Sequence, residues 1–254
     1  MGVVTRKTSS TLLALLMLAS TATLAQSLSP FESPQYRALA TVSIGPDFVQ
    51  SGQSQTLTLL PPFQNHYTNG SQTQAVFDGG LFLGVERTLS EQFSAQLGVA
   101  GFGDTVITSQ GNVWQFALPK FEDLSYSYQV QHGRVMAAGK LLGMLPQHKA
   151  IRPYVSGEVG AAFNQASAYQ EILLVQGVLP MSPFSNNRQT SFSWGVGLGS
   201  DYTINSHMRI GVGYQFADLG SASLGTTLDE TTAETLVLSH LYTNQLRFQL
   251  TYLA

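Results

Sequence analysis

The sequence predicts an all-β fold: an eight-stranded, antiparallel, up-and-down transmembrane β-barrel that follows a cleaved signal peptide. Three observations predict it. The chain closes on QLRFQLTYLA, in which Leu246, Phe248, Leu250, Tyr252 and Ala254 are apolar while Gln245, Arg247, Gln249 and Thr251 between them are polar. A period of two marks a strand with one oily and one wet face. The same alternation recurs in segment after segment, with small and polar residues on the wet face. Finally, only 11% of residues are charged, against roughly 25% in soluble domains. That is too little charge to clothe a soluble surface, and it suits a lipid-facing belt, where Lys or Arg at mid-bilayer costs about 2–4 kcal/mol.

The first 25 residues read as the signal. Arg6 and Lys7 form its charged start, Leu12 to Leu18 its apolar centre, and Thr23-Leu24-Ala25 a small-residue cleavage site after Ala25. The apolar run is too short for a stop-transfer helix. With no cysteine in the chain, a lipoprotein signal, disulfides and a cysteine-based zinc site are all excluded. Residues 26–254 then form one domain of barrel size. Loss of Arg6 and Lys7 takes the formal charge from −3 to −5, and a mildly acidic chain without a basic run argues against nucleic acid as a partner.

Eight segments alternate. The first, 37–49, sets Ala40, Val42 and Ile44 against Thr41, Ser43 and Gly45. In 75–87, Phe77, Leu81, Leu83 and Val85 oppose Asp78, Gly80, Gly84 and Glu86, and in 92–103, Phe93, Ala95, Leu97 and Val99 oppose Ser94, Gln96 and Gly98. The fourth, 124–142, begins with Tyr126, Tyr128 and Val130 read as outward; its apolar parity weakens near Gly133, where a β-bulge would restore register and turn Lys140 inward. In 151–164, Val155, Val159, Ala161 and Phe163 oppose Tyr154, Ser156, Glu158 and Gly160. In 191–202, Phe192, Trp194, Val196 and Leu198 oppose Ser193, Gly195, Gly197, Gly199 and Asp201. In 209–217, Ile210, Val212, Tyr214 and Phe216 oppose Gly211, Gly213 and Gln215, and 243–254 closes the set. Connections alternate in length: 88–91, 143–150 and 203–208 are short, whereas 50–74, 104–123, 165–190 and 218–243 are long. Short turns on one side and long loops on the other, with both termini on the short side, is the outer-membrane pattern.

The Gly-rich pairs GGLFLGVERTLSEQFSAQLGVAGFG and YVSGEVGAAF…SFSWGVGLGSDYTI, then RIGVGYQF and QLRFQLTYLA, resemble the eight-stranded outer-membrane barrels of Gram-negative bacteria, the OmpA-like transmembrane domain and the opacity-protein group. The resemblance covers essentially the mature chain and implies the outer membrane as location, outer-membrane lipid as surroundings and the barrel-assembly machinery as a partner. That family usually ends on Phe or Trp; this chain ends Tyr252-Leu253-Ala254, so Phe248 and Tyr252 would have to carry the assembly signal. No peptidoglycan-binding domain follows the barrel, so cell-wall anchoring is not implied.

Soluble alternatives fit less well. A lipocalin-type barrel would put the apolar face inside, against the inward Gly, Ser, Gln and Glu read here. A periplasmic sandwich would leave unexplained the aromatics at strand ends, Tyr126, Tyr128, Trp194, Tyr202, Tyr214 and Tyr252, which fall where interfacial girdles sit.

No enzymatic set emerges, and no cofactor is expected. Gly195 to Gly199 (GVGLG) leads into Ser200 with no helix to follow, and there is neither a GxSxG elbow nor an HExxH pair. His66, His132, His148, His207 and His240 are scattered, without metal-ligand spacing. A lipid A deacylase of this shape would want a Ser two residues after its His, but Leu241 and Tyr242 follow His240 and Ser239 precedes it. Asp229, Glu230 and Glu234 cluster in a Thr-rich stretch that reads as a solvated loop.

Two groups of candidate residues remain. Glu86, Lys140, Glu158, Asp201 and Arg247 face the lumen by parity, and opposite charges in an interior just wide enough for side chains should pair and plug it. The long loops are unusually apolar, above all Ile172, Leu173, Leu174, Val175, Val178 and Leu179; they either extend the hairpins above the membrane or offer a contact surface to an extracellular or host ligand. The expected function is non-enzymatic, in envelope integrity, adhesion or host contact. A small-solute or hydrophobic-compound channel is the first alternative and an outer-membrane lipid-modifying enzyme the second.

Overall fold

The computed structural model describes residues 36–254 other than 60, 71, 105, 179, 181, 230 and 231. The segment read from the sequence as a signal and its cleavage residue Ala25 lie outside the described residues, as do Leu179 and Glu230. The strands are β1 (Tyr36–Ser51), β2 (Gln55–Thr58), β3 (Gln64–Tyr67), β4 (Gln72–Thr88), β5 (Phe93–Asp104), β6 (Ile107–Trp114), β7 (Glu122–Gly143), β8 (Ile151–Leu173), β9 (Asn187–Thr203), β10 (Met208–Asp218), β11 (Ala222–Ser223), β12 (Val237–Leu238) and β13 (Tyr242–Leu253). Eight of them, β1, β4, β5, β7, β8, β9, β10 and β13, pair antiparallel in chain order; β13 returns to β1 and the ring closes. Short turns link β4 to β5, β7 to β8 and β9 to β10 at one end.

The faces follow solvent. Val42, Ile44, Leu81, Leu83, Leu97, Val99, Val155, Val159, Val196, Leu198, Val212 and Leu250 are exposed on the outer wall, while Thr41, Ser43, Glu86, Gln96, Glu158, Asp201, Gln215, Arg247 and Thr251 are buried within. Glycines on β9 and β10 give the interior its room. A Cβ on Gly199 would lie 2.6 Å from the Tyr154 ring and one on Gly213 2.0 Å from its hydroxyl, so the Tyr154 side chain occupies the space these glycines leave.

The tops of β7 and β8 and the long connections depart from the sequence reading. β7 is 22 residues long, roughly 70 Å at ~3.3 Å per residue, whereas a tilted membrane strand needs only about 9–11 residues. Its even-numbered residues point inward from Leu124 to Leu142 without interruption, and its pairing with β8 runs unbroken through Gly133. No bulge sits there. The expectation that Tyr126, Tyr128 and Val130 face lipid is therefore corrected: they are 4%, 3% and 0% exposed, inside the barrel. What changes near Gly133 is the solvent. Below it the outward residues Val135, Ala137 and Leu141 meet lipid; above it the outward residues Ser125, Ser127, Gln129 and Gln131 meet water, so the apolar residues turn inward as in a soluble barrel.

The register break is instead higher, between Ser127 and Gln129, opposite Ala168 on β8. Ala168 takes φ 55°, a left-handed conformation, as the extra residue of a bulge that returns Tyr169 to the interior. An L-residue pays about 1–2 kcal/mol there. Ala168→Gly should leave the chemical unfolding midpoint unchanged or raise it, and Ala168→Val should lower it by about 1 kcal/mol or more, since a β-branched side chain is least tolerated at positive φ; equal midpoints would contradict the bulge.

The long connections are likewise not loops throughout. β2, β3 and β6 form within 50–74 and 104–123, and β8 runs on to Leu173. Above the ring, β6 replaces β5 beside β7, so a five-stranded wall in the order β2-β3-β6-β7-β8 rises on one side of the mouth.

Candidate contact surface above a closed lumen

The lumen holds two ionic clusters. In the first, Arg209 donates to both carboxylate oxygens of Glu86 at 2.6 and 2.9 Å, Gln96 Nε2 donates to Glu86 at 2.7 Å, and Arg152 approaches to 3.8 Å. Nearby, Lys140 Nζ lies 3.2 Å from Asp201, donates to Gln249 at 2.7 Å and sits 3.9 Å over the Tyr154 ring. In the second cluster Arg134 and Arg247 share two carboxylates. Arg134 is 3.3 Å from Asp78 and 3.2 Å from Glu158; Arg247 is 3.5 and 3.7 Å from the same pair. Both guanidinium groups donate to Gln245 Oε1, whose amide donates to Asp47 at 2.9 Å, and both lie against Phe102, at 4.4 and 4.3 Å.

The structure thus places Glu86, Lys140, Glu158, Asp201 and Arg247 inside and divides them between two clusters. Their partners Arg134, Arg152, Arg209, Asp47 and Asp78 are not among the candidates the sequence offers, although its alternation places Asp78 inward. Arg152 and Arg209 share the inward parity of Tyr154 and Gly211 but sit at strand starts, and Arg134 follows the point where β7 was read as irregular. Together Arg134, Lys140, Arg152, Arg209 and Arg247 face Asp47, Asp78, Glu86, Glu158 and Asp201, a balance of charge suited to a closed interior. Between the clusters lies a small cavity lined by Lys140, Gln249, Glu158, Arg247, Thr41 and Ser43 among others.

The outer mouth is closed by a second, apolar core. Inward residues of the strand tops, among them Val49, Val76, Ile107, Leu124, Tyr128 and Val130, pack against Leu57, Tyr67 and Phe184 and against Leu219, Leu224, Leu236, Leu238 and Leu241 of the last connection. Tyr67, Tyr126, Tyr169 and Phe184 meet ring to ring at 4.9–6.4 Å. Burial pushes the Tyr67 hydroxyl well above its ordinary range. The last connection spans the mouth: Thr58 N donates to Glu234 and Thr232 Oγ1 to the Thr58 carbonyl on one side, while on the other Ser185 N donates to the Thr226 carbonyl and Gly225 N to the Ser185 carbonyl. The Thr-rich stretch read as a solvated loop is therefore part of a lid, with Thr227 and Thr232 buried. His240, on its rim, has Nδ1 2.8 Å from Asp218 and stacks on Tyr242. Among the described residues no three His, Asp or Glu converge as a metal site. Leu238→Asp should place a charge in this core and make the lid protease-sensitive, while heat-modifiable migration of the barrel persists; a lid that resists protease as before would mean it is held by its polar bonds alone.

The wall's outer tips are different. Ile172, Leu173, Leu174 and Val175 are all exposed, as are Phe63, Phe116 and Leu118. Val178 is partly buried against the lid core and cannot share that surface. Of the aromatics expected at membrane interfaces, Trp194, Tyr202, Tyr214 and Tyr252 lie on the outward face, whereas Tyr126 and Tyr128 belong to the lid core.

A closed eight-stranded ring with an apolar outer belt and a charged interior defines an outer-membrane β-barrel protein. The chain belongs to the outer membrane protein beta-barrel domain family, whose pattern matches residues 11–252. No curated protein matches the sequence. Among solved structures it is similar to the outer membrane protease OmpT from Escherichia coli (9% identity, 90% of this chain and 99% of that one, TM-score 0.47). It is also similar to OprG from Pseudomonas aeruginosa (16%, 85% and 96%, 0.39) and to Ail, the attachment invasion locus protein of Yersinia pestis (10%, 85% and 99%, 0.33).

Proposed function

We propose that this outer-membrane barrel works from its outside, as a non-enzymatic surface-contact protein whose wall tips meet an external partner. One observation carries the reading: the lumen and mouth are filled by the ionic clusters and the lid core, while large apolar side chains stay exposed at the tips of the wall. Folding gains nothing from leaving Ile172, Leu173, Leu174 and Val175 in water, and a patch of this kind marks an interaction surface. Phe248 and Tyr252, exposed on β13, would supply the terminal aromatic signal for the assembly machinery.

The test is adhesion of expressing cells to host cells or matrix. A Phe116→Ser/Leu173→Ser/Leu174→Ser triple variant should insert and migrate as the parent does and lose binding. Undiminished binding would move the contact elsewhere. The cavity between the clusters favours a second reading, a small-solute channel. Steady conductance of the parent in planar bilayers would establish it, and silence would leave the contact reading alone.

A further inference from the structure

Resting on that contact reading, we infer that the partner of the wall tips is a lipid bilayer with zwitterionic headgroups, apposed to the cell. The exposed apolar residues form one line. His66 of β3 pairs with Trp114 of β6, Trp114 with Glu122 of β7, and Leu124 of β7 with Leu173 of β8. The turns above the first two pairs carry Phe63, then Phe116 and Leu118; at the third, Ile172 and Leu173 end β8 and Leu174 and Val175 follow it. Three neighbouring hairpins therefore present their apolar side chains along one edge of the wall, at the end opposite the short turns.

Phe63, Phe116, Leu118 and the residues at the end of β8 cap adjacent strands of one wall, so a broad surface presented from above can touch all of them at once. The composition of this ridge is that of membrane-interface segments, with Phe, Leu, Ile and Val beside one Lys.

Phe116 is displayed deliberately. It and Ala117 both hold left-handed φ, 57° and 53°, in a three-residue turn. Asn65 accepts the Phe116 amide at 3.3 Å, and Phe63 and Phe121 flank its ring edge-on at 5.9 and 5.7 Å. Backbone strain at a tip that ends in an exposed ring points to a role for the ring.

Charge selects the lipid. Glu122, Asp123 and Glu171 stand directly below the ridge, with Lys120 the cation among them, seated over Phe121 at 4.9 Å. Within a Debye length of about 8–10 Å, an anionic surface is repelled, including one rich in phosphatidylserine, while a zwitterionic one approaches freely.

The experiment floats the full chain, held in nanodiscs, with vesicles of phosphatidylcholine. Co-flotation is expected, reduced about tenfold or more in Phe116→Ser/Leu174→Ser, since the two apolar side chains withdrawn together remove burial worth at least a decade in affinity. Unchanged heat-modifiable migration and unfolding midpoint establish that the variant is folded. Phosphatidylserine-enriched vesicles should float less protein, with the deficit narrowing as salt rises. Phosphatidylcholine vesicles that float no protein, while cells still bind, would overturn the bilayer in favour of a protein or glycan receptor and leave the contact reading standing. Loss of both would take the contact reading as well, and equal flotation of parent and variant would show that the ridge is not the contact.

Discussion

Arg134→Met should destabilise the barrel by about 3–5 kcal/mol, the general cost of stripping one partner from a buried ionic group. The side chain is fully buried and lies within ion-pair distance of both Asp78 and Glu158. Methionine fills much of the volume but returns no charge, so two carboxylates would share Arg247 alone, at 3.5 and 3.7 Å. The expected readings are a lower urea midpoint for the refolded protein in detergent and, because a cation that ties opposite walls is gone, new conductance events in planar bilayers. A loss below about 1 kcal/mol would mean that water already reaches these groups, and the closed lumen would have to be given up. Glu158→Gln and Arg247→Gln act on the same cluster and should each lower the midpoint.

Val196→Arg tests the outer wall. Val196 is 52% exposed at the middle of β9, its neighbours across the strands being Phe216 and Gly157. Arginine at mid-bilayer costs about 2–4 kcal/mol in such barrels, so the variant should insert poorly or unfold earlier, whereas Ser193→Asn on the inner face should do much less. Normal folding and outer-membrane fractionation of Val196→Arg would place lipid elsewhere.

The ring itself could be read in the sequence, because each strand in the bilayer separates two solvents and must alternate. Glu86, Glu158, Asp201 and Arg247 follow from that rule, and Arg209 and Arg152 are open to it, since parity does not stop where a strand begins; Lys140 faces inward without the bulge that the sequence reading needed to put it there, because β7 keeps one parity through Gly133. The upper storey escaped because the rule reverses there. The run from Leu124 to Val130 keeps the same inward residues as the run from His132 to Lys140, but water replaces lipid outside it, so the apolar letters change sides. Read with one solvent in mind, the change looks like an inserted residue. The true bulge at Ala168 carries no glycine to announce it. The lid was hidden for another reason: its leucines are spaced by no secondary-structure period, and what gathers them is the mouth they cover.

The change of solvent at Gly133 also acts as a depth gauge. Raising the molecule would wet Val135 and Ala137, and lowering it would sink Gln129 and Gln131 into hydrocarbon, so vertical displacement is opposed in both directions. The stretch of β7 from Glu122 to His132 then becomes a spacer of fixed length, about 25–30 Å once tilt is allowed for. Any surface touching the ridge is held at that stand-off from the cell, a gap set by where serine and glutamine give way to valine and alanine along a single strand.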